Sequence, residues 1–398
     1  MSQVLRRPLW LMLLAGTLVM FITFGVRGGF GQFLLPMSET LGWGREIFSL
    51  AIAIQNLLWG ALQPVAGGLA DRYGAGKSLL FGTLMYGLGV YLMSQAATPE
   101  LFHLTAGGMI GIGLAFGSMG VVMPAIARAT PPKYRTLAMG IVNMGGSAGM
   151  LVLVPVGQEF INAWGWQTAL AVLSLFAIVN LLLAPVLSGK SEVPAGGQSF
   201  GQALSEARRH AGYWFLIGGF FVCGFHVTFI GVHLTPYLVD SGLDPSLGAL
   251  ALAVIGGANI FGSLAAGVLG DRYSKKYVLS LLYAARAALM AAFVLVPLSE
   301  VTVLVFAAIM GLLWLSTVPL TSGLVGQIFG PQYMGMLFGF VFFSHQIGAF
   351  FGVWLGGLLF DLTGSYDVVW WLGVALGLIS AALHFPIDEK PIVRTAQA

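Results

Sequence analysis

Long apolar stretches alternate with short polar intervals along the whole chain. A helix needs about 20 residues to cross a bilayer, and twelve of the stretches reach that length. The first is too long to be a cleaved signal peptide, whose apolar region spans roughly 7–15 residues. We therefore predict twelve transmembrane helices, at residues 9–36, 46–70, 77–98, 101–127, 135–158, 165–187, 212–239, 246–270, 277–298, 301–328, 335–360 and 366–386.

The widest polar interval, residues 188–211, divides these stretches into two groups of six. The groups resemble each other, because GGLADRYGAGK (67–77) follows the second stretch and GVLGDRYSKK (267–276) follows the eighth. We predict an all-α membrane protein with two pseudo-symmetric six-helix bundles, 1–187 and 212–398, and a cytoplasmic linker between them. Transporters built from such repeats bind substrate between the halves, near the bilayer midplane.

The composition supports a membrane environment. Only 8% of the 398 residues are charged and the mean hydropathy is +0.89, whereas soluble domains are about 25% charged. These values exclude a disordered chain, a secreted disulfide scaffold and a nucleic-acid-binding protein. The single cysteine, Cys223, allows neither an intrachain disulfide nor a paired thiol metal site.

Basic residues are distributed unevenly between the two sides of the predicted bundle. If the N-terminus is cytoplasmic, fifteen of the eighteen Lys and Arg residues lie in cytoplasmic segments, and Arg45 is the only basic residue in an outer loop. The positive-inside rule favours this orientation. We therefore expect a multi-pass protein of the cytoplasmic (inner) membrane with both termini in the cytoplasm. We also expect the protein to function as a monomer.

The paired loop motif and the twelve stretches resemble the major facilitator superfamily of secondary transporters. Within it, the chain is similar to bacterial relatives of monocarboxylate and oxalate/formate carriers. This similarity lies in GVRGGFGQFLLPM (25–37), in PPKYRTLAMGIVNMGGSAG (131–149) and in the region 345–356. The resemblance implies organic-anion transport. Two charge sites of those families differ: Ser263 occupies the usual arginine position on span eight, and His345 the lysine position on span eleven.

Two arginines, Arg27 and Arg286, lie well inside predicted spans, where a charge costs at least about 2.5–3.5 kcal/mol. Arg27 lies among glycines in span one, which lines the cavity in the resembled fold, and we predict that it binds a substrate carboxylate. The alternative is an arginine satisfied by carbonyl groups of a neighbouring helix. Arg286 is on span nine, which is peripheral in that fold, so a structural role competes with ligand contact.

Histidine is the side chain that changes charge near neutral pH, and no carboxylate lies deep in a span. His226, His233 and His345 are therefore candidates for the coupling proton, and His226 and His345 also for substrate binding. The alternatives are neutral histidines bonded to neighbouring helices, or a proton that travels on the substrate. Polar amides on cavity-lining helices add candidate ligands, although packing between helices is their usual role: Gln55, Asn56, Asn143, Asn259 and Gln346.

The duplicated loops carry Asp71-Arg72 and Asp271-Arg272. Each aspartate is placed to contact the positive N-terminal end of a helix in the other half, and we predict a cytoplasmic gate that breaks when the halves separate. An ordinary solvated loop charge is the alternative.

Together these features predict a secondary active transporter that moves a small, monocarboxylate-like anion by alternating access, with proton coupling. An oxalate/formate-type anion exchanger and an exporter of drug-like amphiphiles are the alternatives. An enzyme is disfavoured because the histidines are scattered. We expect no cofactor and no metal, and the partners are a carboxylate substrate, protons and the lipid bilayer, without nucleic acid.

Overall fold

A computed structural model of the chain describes residues 8–131, 134–188, 200–330 and 334–392. The described residues are 89% helical and contain no strand. Ten helical segments are long and apolar enough to span a membrane. One of them, Ala138–Leu187, crosses twice because it reverses at Gly165, and Ala75–Met93 supplies a further crossing that falls outside those ten. The predicted twelve-helix, all-α architecture is therefore confirmed.

The twelve membrane helices are labelled in chain order, and a short helix at Phe200–Arg209 precedes the seventh. Their bounds are α1 Leu9–Leu41, α2 Arg45–Tyr73, α3 Ala75–Met93, α4 Pro99–Ala129, α5 135–164, α6 166–183, α7 Ala211–Asp240, α8 Pro245–Arg272, α9 Lys275–Leu295, α10 Glu300–Phe329, α11 Met334–Thr363 and α12 Asp367–His384.

The turn between α5 and α6 differs from the sequence prediction, which left residues 159–164 outside the helices. Helical geometry continues to residue 164, and Gly165 alone reverses the chain at a φ of 76°. Only glycine adopts this left-handed conformation at low cost, so a single residue replaces the expected loop.

Three membrane helices are interrupted. A 3₁₀ turn at Phe30–Phe33 interrupts α1, an extended residue at Ser118 breaks α4, and a bend between Leu313 and Thr317 breaks α10. The fourth and tenth helices occupy equivalent places in the two halves. Interrupted helices at equivalent places of transporter repeats mark the region of the binding site.

Large apolar side chains such as Leu182 (76% exposed) and Phe261 (69% exposed) lie on the outside of the bundle. A water-soluble protein rarely exposes so continuous an apolar surface, whereas lipid accommodates it. The buried side chains form two apolar clusters, and small residues let neighbouring helices approach closely. Gly348 on α11 is one example, since its Cα faces the Phe221 carbonyl of α7 with no room for a side chain.

The two halves contact each other through two pairs of helices, α2 with α11 and α5 with α8. We call the face where α1 begins and α12 ends the terminal face, and the other side the opposite face. At the opposite face the halves touch: a Cβ on Gly31 of α1 would lie 2.7 Å from the Gly231 carbonyl oxygen of α7. Towards the terminal face, Gly67 of α2, Gly140 of α5 and Gly267 of α8 have no described atom within 4 Å of the position where a Cβ would point.

Candidate functional site

A cavity of about 150 Å³ lies between the two halves. The first half contributes residues from α1, α2, α4 and α5, and the second half contributes residues from α7, α8, α10 and α11. The wall is mostly apolar and aromatic. The predicted site residues that line it are Arg27, Gln55, Asn56, Asn143, Asn259, His345 and Gln346.

Arg27 lies at the end of the regular helix of α1, just before the 3₁₀ turn. Its Nε donates to Gln55 Oε1 (3.2 Å) and its Nη2 donates to Asn56 Oδ1 (2.5 Å). The guanidinium carbon is 5.1 Å from the centroid of the Trp59 ring. These partners are all neutral, and no Asp or Glu is among the described residues that line the cavity. The positive charge therefore remains available to an anion.

The glycines around Arg27 bring α1 against α5. A Cβ on Gly25 would lie 2.7 Å from the Gly149 carbonyl oxygen, and one on Gly28 would lie 2.9 Å from Met150 Cγ. The two glycines therefore allow α1 and α5 to approach each other closely. Arg27, which lies between these two glycines in the sequence, faces α2 and the cavity.

His345 is the predicted histidine that reaches the cavity. Its Nδ1 is 3.0 Å from Gln346 Oε1, and its ring stacks on Phe342 with an interplanar angle of 8°. Because an amide oxygen only accepts, Nδ1 carries the proton of this hydrogen bond.

Two buried donors at the cavity have no partner among the described residues. They are Gln346 Nε2 and Trp59 Nε1, which belong to α11 and α2, on opposite sides of the interface between the halves. Buried polar groups are normally hydrogen-bonded, so unpaired donors indicate a ligand or water that would accept from them.

The other two predicted histidines do not line the cavity. His226 and His233 do share one face of α7, as their spacing predicts, but this face turns into the second bundle. His226 Nε2 donates to the Gly373 carbonyl (2.8 Å) and His233 Nε2 donates to the Val353 carbonyl (2.9 Å). Val227 and Thr228 occupy the cavity side of α7 instead. Neither histidine is placed to touch a substrate there.

Arg286 also lies away from the cavity, so the structure does not support its place among the substrate ligands. It is completely buried on α9 and bonds to backbone carbonyls of α10, the structural alternative that the sequence had left open. Ser263, at the position of the family arginine, donates to Asn259 Oδ1 (3.2 Å) and supplies no charge. Arg27 is therefore the single Arg or Lys among the described cavity-lining residues.

The residues of the predicted gate lie at the terminal face. Arg72, Asp271 and Arg272 are exposed, and the side chain of Asp71 lies outside the described residues. The gating role of these four residues stays a prediction.

A polar cluster at the opposite face was not predicted from the sequence. Arg45 of α2 donates from Nη1 and Nη2 to the Asp240 carboxylate of α7 (2.5 and 2.7 Å), and from Nη1 to the Tyr366 hydroxyl (3.0 Å). Asp361 of α11 accepts from the backbone N–H groups of Arg45 and Glu46. We call Arg45, Asp240, Asp361 and Tyr366 the clasp, because they join the first half to the second.

Two signals in the sequence pointed towards the clasp. Arg45 is the one basic residue among the predicted outer loops, and acidic residues surround it on that side. The sequence alone could not identify the partner of Arg45, because Asp240 is 195 positions away. Elsewhere, no group of three His, Cys, Asp or Glu side chains suited to a metal ion occurs within the described ranges.

The sequence model of the Major Facilitator Superfamily matches residues 16–352, with a second match at 266–398. An uncharacterized MFS-type transporter, YcxA of Bacillus subtilis, is 26% identical over 94% of this chain and 92% of its own length. Human monocarboxylate transporter 11 is 27% identical over 96% of this chain and 83% of its own length.

A solved structure with the same fold is that of a bacterial homolog of the human lysosomal transporter Spinster, in an inward-facing and unoccupied conformation. The two structures align with a TM-score of 0.76 over 97% of each chain, at 18% sequence identity. The fold, the paired loop motifs and the family match agree. The chain belongs to the Major Facilitator Superfamily and is a multi-pass membrane transporter.

Proposed function

We propose that this transporter carries a small organic monoanion and that Arg27 binds its carboxylate. The observation that carries the proposal is a partly buried guanidinium that faces the cavity and is held by two amide oxygens rather than by a carboxylate. Gln55 and Asn56 orient the planar group, and its remaining N–H donors suit the two oxygens of a carboxylate.

The charge of the cavity favours a monoanion over a dianion. One permanent cation lines it among the described residues, and a second carboxylate would have to be buried without a partner. Several relatives bear the name monocarboxylate transporter, which supports the same substrate class.

The rest of the cavity suits an apolar body next to the carboxylate. Phe24, Trp59, Trp314 and Phe342 all contribute to the wall. A cavity of comparable volume, about 150 Å³, accommodates a benzene ring in an engineered protein. Burying about 60 Å² of ring at about 25 cal/mol per Å² contributes about 1.5 kcal/mol, or roughly tenfold in affinity. Phenylacetate should therefore compete better than acetate.

Proton coupling is assigned to His345, because it is the histidine of the three candidates that shares the cavity with Arg27. Transport would proceed by alternating access: the clasp opens when the predicted gate at the terminal face closes. The excess of Lys and Arg in the loops of the terminal face supports a cytoplasmic position for that face and for both termini. The protein would act as a monomer in the cytoplasmic membrane.

The test is uptake into proteoliposomes. Acetate, phenylacetate and succinate are offered with an inward proton gradient to the wild type, to Arg27→Gln and to Arg27→Lys. Arg209→Gln removes an exposed arginine outside the cavity, the predicted gate and the clasp, and serves as the control. We expect uptake of the monoanions, loss of uptake in Arg27→Gln and partial activity in Arg27→Lys.

Other outcomes distinguish the alternatives. Uptake that requires internal anion and ignores the proton gradient would identify an exchanger. Transport of neutral or cationic amphiphiles with Arg27→Gln as active as the wild type would identify an efflux protein and overturn the proposal.

A further inference from the structure

The break in α10 leaves backbone groups without their helical partners. Regular helix ends at Leu313, and a second helix begins at Thr317. The intervening residues Trp314 and Leu315 line the cavity. Pro319 breaks the helix here, because it has no N–H to donate to the Leu315 carbonyl four residues earlier and its ring crowds that carbonyl. Side chains of other helices bond to the backbone groups that the break frees.

Arg286 of α9 meets the freed carbonyl groups. Its Nε donates to the Leu313 carbonyl (3.1 Å), and its Nη2 donates to the carbonyls of both Leu313 and Trp314. Nη1 points to Cys223 Sγ at 3.5 Å. The guanidinium thus takes the place of the helical N–H groups that the bend removes.

The same contacts explain why the buried charge of Arg286 is tolerated inside the bundle. No carboxylate is among the partners that the structure gives to Arg286. The guanidinium lies instead at the C-terminal end of the helix Glu300–Leu313, where the helix dipole places about half a negative charge. The Tyr283 ring also stabilises the guanidinium, whose carbon lies 5.4 Å from the ring centroid.

Asn259 of α8 holds the bend from the cavity side. Its Oδ1 accepts from the Leu315 backbone N–H (2.9 Å), and its Nδ2 donates to Ser147 Oγ of α5 (2.9 Å). The bend is therefore fixed between two side chains, and one of them also bonds across the interface between the halves.

We infer that Arg286 is a positioning residue for the substrate cavity: together with Asn259 it clamps the broken α10 so that Trp314 and Leu315 form the cavity wall. This assignment goes beyond the proposed substrate, because it holds for any ligand of the cavity. Lysine cannot replace Arg286, since a single ammonium lacks the planar fork that reaches two carbonyls and the thiol.

The first test needs no substrate. Leu315→Cys is labelled with a maleimide in a Cys223→Ala background, alone and with Arg286→Lys or Arg286→Gln, because Arg286 also contacts the native Cys223 thiol. Ser280→Ala is the matched control, because it removes another intramembrane hydrogen bond of α9, to the Ala381 carbonyl. We expect at least about a threefold change in labelling rate for both Arg286 variants and none for Ser280→Ala.

The second test uses phenylacetate transport. Arg286→Lys should raise KM by about tenfold with the wild-type wall, but by less than about twofold in the Trp314→Ala background, because the positioned side chain is then gone. A purely structural role would lower the amount of protein and affect both backgrounds equally, and that result overturns the inference.

The two tests separate failure of this inference from failure of the proposed function. If phenylacetate is not transported, the labelling result still decides the role of Arg286. If neither Arg286 variant accumulates in the membrane, Asn259→Ala releases the same bend from the cavity side. Labelling of Leu315→Cys that stays unchanged in Asn259→Ala would then overturn the clamp.

Discussion

Loosening the clasp should shift the protein towards a form open at the opposite face. The substitution Asp240→Asn keeps the size of the side chain and removes the charge that pairs with Arg45. The pair has two short hydrogen bonds (2.5 and 2.7 Å), and the guanidinium carbon lies 3.6 Å from the Phe360 ring centroid. This geometry indicates that the Arg45–Asp240 pair stabilises the form that is closed at the opposite face.

The free energy that the Arg45–Asp240 pair contributes depends on how far the two side chains are buried. Hydrogen bonds to charged groups contribute about 1.5–3 kcal/mol when buried, and exposed ion pairs about 0.2–1 kcal/mol. The Arg45 side chain is 12% exposed and that of Asp240 is 31% exposed, so the pair lies between these limits. We take about 1–2 kcal/mol, which is a factor of about 5–30 in the equilibrium between the two forms.

The assay is labelling of Val227→Cys, a cavity position on α7, by an impermeant maleimide added from the opposite face. Asp240→Asn should increase the labelling rate at least about fivefold. Asp367→Asn makes the same charge change on the same face outside the clasp and should leave the rate unchanged. Equal rates for Asp240→Asn and wild type, or an equal increase in the control, would refute the assignment of the clasp.

Three further predictions address other parts of the structure. His345→Gln should abolish accumulation driven by a proton gradient while exchange of internal for external substrate continues; loss of both activities would argue against a proton role. Gly348→Val should lower the free energy of unfolding by about 1–3 kcal/mol, seen as a lower melting temperature in detergent, because the new side chain meets the α7 backbone, whereas Gly339→Val faces open space and should not. Asp271→Asn should favour the form open at the terminal face, and unchanged accessibility of the cavity from that face would contradict the predicted gate.

The sequence was most informative where chemistry is local. Long apolar runs must cross the bilayer as helices, because lipid offers no partners for backbone groups, and this fixed the number of crossings. The cost of a charge in lipid likewise singled out Arg27 and Arg286. The spacing of His226 and His233 correctly gave a shared helix face, but not the neighbour that this face meets.

What the sequence could not predict depends on contacts between distant segments. Arg27 and Arg286 look alike as isolated charges, yet one faces amides and a cavity, and the other faces carbonyls released by a bend. Pro319 signals that bend in the sequence, but it does not show which side chains bond to the carbonyls that the bend frees. The clasp joins Arg45 to Asp240 across the two halves, a contact that only the packing of α2 against the second bundle creates.

Direct binding of a matched pair of ligands tests the central claim, that the Arg27 charge selects a carboxylate. Phenylacetate and phenylacetamide have nearly the same shape and differ in charge. The wild type should bind phenylacetate at least about tenfold more tightly than the amide, and Arg27→Gln should lose this preference while it still binds the amide. Equal affinities of the wild type for the two ligands, or a preference for phenylacetate that survives in Arg27→Gln, would contradict the account.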